Sequence, residues 1–444
     1  MKIVHTLGWY FPESSGGTEV YVAALAAGLQ AAGAETIVAA PAPDSAPADY
    51  EHQGIGVHRY PLSARPDRPE ISGQRAPAHI DAFARWLEGQ KADVYHQHSW
   101  SRGCGVYHLA AARALGLRTV VTIHVPAPIC LRDTMLLDGR SVCDGRVDVA
   151  RCSRCWGTAR GMPSWLAGAV GRAPAAARML GTLIPESSRV HTAVATPARV
   201  EAHRRRFETL VSAADRVVVV CEWLRDAALL NGTPPGKVML CRQGVDQAVT
   251  SWPAPAAASG DTPLRIGFLG RLDPVKGLDL LIDAVNRLPR EVPLELVAHG
   301  LPQDAVYARR LEAAVAQDSR IRLAAPVSRE DLVRVLQGFD ALAIPSRWLE
   351  TGPLVALEAL AAGIPVIGAR RGGLAELIQD GRDGWLLPAD DVEAWSAHLR
   401  TLARDPGIAR SLRGYRPVRR MHEVCTEMLS LYRELTRSAL AVTG

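Results

Sequence analysis

From Pro345 to Asp391 the chain reads PSRWLETGPLVALEALAAGIPVIGARRGGLAELIQDGRDGWLLPADD, with Glu350 and Glu358 eight positions apart around a Thr351-Gly352-Pro353 turn. The apolar run Ala341–Ile344 just before it has the length and composition of a buried strand. Glu350 is therefore predicted to project over the carboxyl edge of a parallel sheet, where open α/β folds hold ligands. The apolar residues that follow predict a helix starting at Pro353. The backbone N–H groups of Gly352, Leu354 and Val355 would then surround an anion at the positive end of that helix. Read without this context, Glu358 is only an exposed acid on an amphipathic helix and Glu350 a loop acid.

Strand-then-helix alternation extends outward from this stretch in both directions, which predicts doubly wound parallel sheets. After the motif comes strand Pro365–Ile367. Before it come strand Leu264–Leu269, helix Leu278–Asn286, strand Leu294–Ala298, helix Ala305–Ala316, strand Ile321–Leu323 and helix Arg329–Leu336. The stretch 248–263, rich in Pro, Ala and Ser, reads as a linker. Upstream, strands Lys2–Thr6, Thr36–Ala40, Val57–Tyr60, Asp93–His96, Thr119–His124 and Arg216–Cys221 alternate with helices near Thr18–Ala32, Tyr107–Leu115 and Val200–Ala213. With 444 residues the chain exceeds one ordinary core, so two domains are expected, 1–247 and 264–411, with a final segment 412–444.

Composition excludes several classes. At 48% hydrophobic and 22% charged residues, with no heptads, the chain reads as globular. No run approaches the ~20 apolar residues that span a bilayer, and the opening MKIVHTLGWY is a buried strand rather than a leader, so a cytoplasmic location is expected. The net charge of +5 is mild, yet Arg151 to Arg206 holds ten Arg, no Lys or Asp, and only two Glu. Such a segment could rest on an anionic membrane surface at the inner face, with Trp156, Trp165 and Leu166 inserting; a solvated helix pair is the plain alternative. Nucleic acid is not an expected partner, since interleaved aromatics and known motifs are missing.

The Glu350/Glu358 stretch resembles the donor-binding motif of the retaining GT-B glycosyltransferases of family 4. That resemblance implies two Rossmann-like, doubly wound domains facing each other across a cleft, with the final helix crossing back to the first. It also implies that Glu350 lies beside a donor sugar and that Glu358 bonds the ribose hydroxyls of a nucleoside diphosphate. Gly270-Arg271 and Lys276-Gly277, in a turn after a strand, match the family's Arg and Lys, which steady the charge growing on the leaving diphosphate. Gly16-Gly17 after the first strand is similar to the family's loop facing the donor, and His124 to a histidine near the donor sugar. The family's Asp after that histidine is replaced by Val125, so no acceptor contact follows from it. His96 and His98 end a strand in the same way, and a structural role competes equally for both.

The implied activity is transfer of a sugar from an NDP-sugar, UDP- or GDP-linked, to an acceptor hydroxyl with the α configuration kept. The acceptor could be a lipid-linked glycan, a natural product or a protein. Rival readings are a sugar-nucleotide epimerase or phosphorylase on the same fold, or a silent sugar-nucleotide-binding subunit. No Asp-x-Asp occurs in the chain, so no catalytic metal is expected. A different metal signal lies in Cys130-x12-Cys143-x8-Cys152-x2-Cys155, whose ligand count and knuckle suit a structural zinc site. Disulfides, free thiols and an iron–sulfur cluster are the alternatives.

Overall fold

The computed structural model describes residues 1–444 apart from 15, 44–47, 64, 72, 74, 185–187, 247–261, 415–416 and 444; residues 248–261 of the linker read from sequence thus lie outside the described residues. The chain forms two compact units, Met1–Arg242 with His422–Gly444, and Gln243–Met421.

The first unit is built on β1 (Lys2–Thr6), β2 (Glu35–Pro43), β3 (Ala48–His52), β4 (Ile55–Leu62), β5 (Val94–Gln97), β6 (Arg118–Ile123), a small separate hairpin β7 (Leu136–Leu137) and β8 (Ser141–Val142), then β9 (Arg216–Val219) and β10 (Val238–Leu240). Its main sheet has the order β10-β9-β6-β5-β1-β2-β4-β3. Every neighbouring pair in it is parallel except β3 with β4. Sequence reasoning overlooks β3 because ADYEH is mostly exposed and lacks apolar alternation, as an edge strand tolerates. The chain winds from β1 toward β4 and then returns to β5 on the other side of β1. Loops after β1 and β5 therefore open at a topological switch point, the usual place for ligands.

The second unit holds β11 (Leu264–Leu269), β12 (Leu294–His299), β13 (Ile321–Ala324), β14 (Ala341–Ile344), β15 (Val366–Ala369) and β16 (Gly384–Leu387) in the order β13-β12-β11-β14-β15-β16, all parallel. Its inner strands β14 and β15 are buried on both faces, which explains their uninterrupted apolar runs. In β14, Ala341 and Ala343 pack into one core with Leu264, Ile266 and Trp395, whereas Leu342 and Ile344 pack into the other with Leu357, Leu360 and Leu374. Each fully buried leucine contributes about 1.5–3 kcal/mol. The winding reverses between β11 and β14, so the loops carrying Gly270-Arg271 and Glu350 leave adjacent strand ends.

The last helix, Met421–Thr443, belongs with the first unit. Tyr432 is fully buried there, and its hydroxyl lies 2.6 Å from His96 Nδ1. Gly28 lies so close to this helix that a Cβ on it would stand 2.4 Å from Cys425 Sγ.

Candidate donor and catalytic site

In the second unit, Glu350 is 5% exposed; Lys276 Nζ donates to its Oε1 at 2.8 Å and Ser346 Oγ at 2.6 Å. Burial alone would push this carboxyl up, but the Lys276 charge and these hydrogen bonds prevail and hold it below its ordinary value. Lys276 Nζ also sits 4.7 Å from the centre of the Trp348 ring. The turn from Ser346 to Gly352 is gripped from behind by Gly372-Gly373. A Cβ on Gly373 would stand 2.7 Å from Gly352 N, and Gly373 N donates to Glu350 O. Gly277, at φ 73°, is pressed as tightly: a Cβ there would lie 2.1 Å from Pro345 O. Only glycine fits both places, so the loop after β11 and the loop after β14 are locked against each other.

The helix Leu354–Ala361 begins at Pro353, which offers no side-chain cap. Among the described residues, the N–H groups of Gly352, Leu354 and Val355 make no hydrogen bond. Open N–H donors at a helix start are groups that an anion can take as partners. Arg271 is exposed and makes no ion pair or hydrogen bond among the described residues. Glu358 is 6% exposed and meets Arg329 in an ion pair that sequence reasoning does not anticipate. Burial raises the Glu358 carboxyl, with Arg329 opposing the rise.

In the first unit four histidines gather at the ends of β1, β5 and β6. His98 links two of them, with His5 Nδ1 3.1 Å from its Nε2 and His124 Nε2 3.1 Å from its Nδ1. His96 bonds Thr122 Oγ1 at 2.7 Å as well as Tyr432. Burial lowers all four, His5 and His124 to about 3, so they are neutral at neutral pH. His5, His96 and His98 bring ring nitrogens within 4.8 Å of one another, a spacing that would admit a metal. Both nitrogens of His96 and of His98 are already engaged, so we read the trio as a hydrogen-bonded chain instead of a ligand set. Gly16 and Gly17 start the helix Gly17–Ala31, and the Glu19 carboxylate folds back to Ser14 Oγ at 2.9 Å.

The four insert cysteines, all unpaired, line one cavity of about 30 Å³ between the β7–β8 hairpin and the helix Val149–Ala159. The Arg-rich segment differs from its sequence reading in two ways. Trp156 is buried beneath Arg160 and Arg199, 4.4 and 5.1 Å from its ring, and so is not free to insert elsewhere. Arg204 and Arg205 pair with Glu208 and Glu201 on their own helix, while Arg206 packs over Trp100. Trp165 is exposed as the sequence reading has it, and further apolar exposure falls on Met179, Leu180 and Leu183.

Residues 255–416 match the model of the glycosyl transferases group 1, and residues 16–157 that of the glycosyl transferase 4-like domain. The chain is thus similar to the group 1 glycosyl transferases, and its fold is GT-B. These glycosyltransferase matches cover both units. The D-inositol 3-phosphate glycosyltransferase of Kineococcus radiotolerans is 33% identical over 268 residues, 53% of this chain and 61% of that protein. That of Xylanimonas cellulosilytica is 32% identical over 272 residues, 56% of this chain and 65% of that protein. The chain thus spans somewhat under two thirds of these relatives. Among solved structures, sucrose-phosphate synthase from Thermosynechococcus elongatus has a TM-score of 0.65 at 19% identity, covering 98% of this chain and 99% of that one. Anabaena HepE in complex with UDP-glucose has a TM-score of 0.58 at 14% identity, covering 99% of this chain and 100% of that one, and the likeness of both lies in the fold. Among the described residues no helix is long and apolar enough to cross a membrane.

Proposed function

We propose that this glycosyltransferase moves a sugar from a nucleoside-diphosphate sugar to an acceptor hydroxyl, keeping the α configuration. The observation that carries the reading is the pairing of Lys276 with Glu350 beside the open N–H groups of Gly352, Leu354 and Val355, at the switch point of the second unit. The diphosphate takes those N–H groups, Lys276 and Arg271 as partners. Glu350, held ionised, lies beside the sugar and opposes the positive charge that develops at its anomeric carbon. Glu358 leaves Arg329 to bind the ribose. As the anomeric C–O bond breaks, negative charge grows on the diphosphate, and those cations and the helix start stabilise it without a divalent ion. The acceptor oxygen attacks from the same face and its proton passes to the departing phosphate oxygen, so no protein base is needed. HepE, which shares the fold and was solved in complex with UDP-glucose, supports a donor of this class.

The first unit takes the acceptor, with His124 on the donor-sugar side. Its exposed Trp165, Met179, Leu180 and Leu183, interspersed with the exposed Arg160 and Arg172, fit contact with an anionic lipid interface. The deciding experiment is a panel of UDP-, GDP- and dTDP-sugars assayed for binding and for sugar release or transfer in the presence of EDTA. One donor should bind and turn over with chelator present. Failure of every donor to bind would dismiss the reading, and turnover rescued only by Mg²⁺ would dismiss its metal-independent form.

A further inference from the structure

The Cys insert follows β6, the strand that leads to His124, and it draws its thiols from three places in the chain. Cys130 lies in the turn after Pro126, its N–H bonded to Pro126 O at 2.8 Å. Cys143 follows β8, its N–H bonded to Met135 O at 2.9 Å. Cys152 and Cys155 stand three apart on the helix Val149–Ala159 and so share one of its faces. All four line the same cavity of about 30 Å³, which is large enough for a single atom or water and otherwise walled by apolar side chains and arginines.

Two further observations single this cavity out from a cluster of small buried hydrophobes. One is charge: Arg132 and Arg151 line it, Arg132 donating to Cys155 O at 3.1 Å. A tetrathiolate site carries net charge −2 around a divalent ion; the Arg132 guanidinium at its wall would offset part of that charge, Arg151 being paired with Asp144. The other is an N–H···S bond, from Asp138 N to Cys155 Sγ at 3.1 Å, the kind of outer partner that orients a metal-bound sulfur. The Asp138 turn at φ 53°, followed by Gly139 at φ 76°, aims that N–H inward.

We propose that the insert is a closed, structural Zn²⁺ site with Cys130, Cys143, Cys152 and Cys155 as its four ligands. Binding exchanges four S–H protons for four S–Zn bonds and needs no oxidant. Among the described residues, the group whose ligand atoms all lie within 4.8 Å of one another is the histidine trio, so the thiols close in when the ion enters. Tetrahedral bonds of ~2.3 Å place sulfurs ~3.8 Å apart, so binding would draw the thiols together. The ion ties the β7–β8 hairpin to the Val149–Ala159 helix and fixes the insert beside the strand that carries His124.

The test uses the full chain, expressed with zinc in the medium and purified without chelator. Elemental mass spectrometry should find about one zinc per chain, released together with four thiols on titration with a mercurial. Exchange with Co²⁺ should give the intense absorption of a tetrahedral thiolate complex. Cys152→Ser with Cys155→Ser should retain less than about a tenth of the zinc, while far-UV circular dichroism keeps the parent's secondary structure and reports that the first unit remains folded. Zinc-free protein that takes up neither Zn²⁺ nor Co²⁺, two disulfides on non-reducing peptide mapping, or bound iron with sulfide would each overturn the assignment.

Discussion

Lys276 and Glu350, 74 residues apart in the chain, form an ion pair at 2.8 Å in which the carboxylate is almost fully enclosed. Sequence treats Lys276 and Arg271 as two equivalent cations, whereas the structure separates them: one is tied to a buried acid and the other is exposed. Arg271→Ala should lower kcat about 10²-fold with an unchanged Tm. Lys276→Ala should lower kcat as much and also cost about 3–5 kcal/mol of stability, because Glu350 is left buried without its partner. Denaturant melts alongside steady-state kinetics check both, and equal stability of the two variants would refute the distinction.

Glu358 carries the opposite sign. Its folded pKa is raised, so the native state binds more protons than the unfolded one, and stability falls as pH rises from the ordinary carboxylate value of ~4.3 toward the folded value. Glu358→Gln should therefore gain on the parent in Tm as pH rises above the ordinary carboxylate value, while donor affinity weakens about 10- to 100-fold through the lost ribose bonds. A variant that tracks the parent's pH profile, or binds donor as well, would contradict this role.

The buried histidines make the first unit sensitive to acid. His5, His96, His98 and His124 all have lowered folded pKa values, so their stability is fully present above the unfolded value of ~6.5 and is lost progressively as pH falls toward about 3. Tm should decline from pH 7 to pH 5, above the range where the carboxylates titrate. His98→Asn, which removes the link in the chain, should be less stable at pH 7 and show a shallower decline. An unchanged slope would mean the acid lability lies elsewhere.

Membrane contact is testable on the corrected face. Trp165→Ser with Leu183→Ser should reduce partition onto vesicles containing anionic lipid by about tenfold or more, since each loses a large exposed apolar group. Binding by the parent should weaken steeply with salt. Glu201- and Glu208-paired Arg205 and Arg204 should matter little, and a result in which they dominate would move the contact back to that helix.

How much of this was legible beforehand depended on the kind of signal. The second unit's strands β11 and β14 fall where apolar runs place them, because both faces are buried and composition alone marks them. The edge strand β3 and the helices Ile80–Gly89 and Glu222–Leu230 were not read, since partly exposed elements mix polar and apolar residues. Glu350, Glu358, Arg271 and Lys276 were visible as chemistry at a spacing. Arg329 and Ser346 were not, because their roles arise from contacts 29 residues away and 4 residues away that no motif encodes. Gly372-Gly373 stood in the quoted stretch, but the need for two bare backbones shows only once the Glu350 turn is seen pressed against them.

The Tyr432–His96 bond spans 336 residues, and the unit it completes is interrupted by the whole of the other one. On a ribosome the second unit, contiguous from Gln243 to Met421, can fold as it emerges, whereas the first must wait with an unfilled groove until the last helix is made. A nonsense codon or proteolytic nick between Arg420 and Tyr432 would thus spare the unit nearest to it in sequence and cripple the one that was synthesised first.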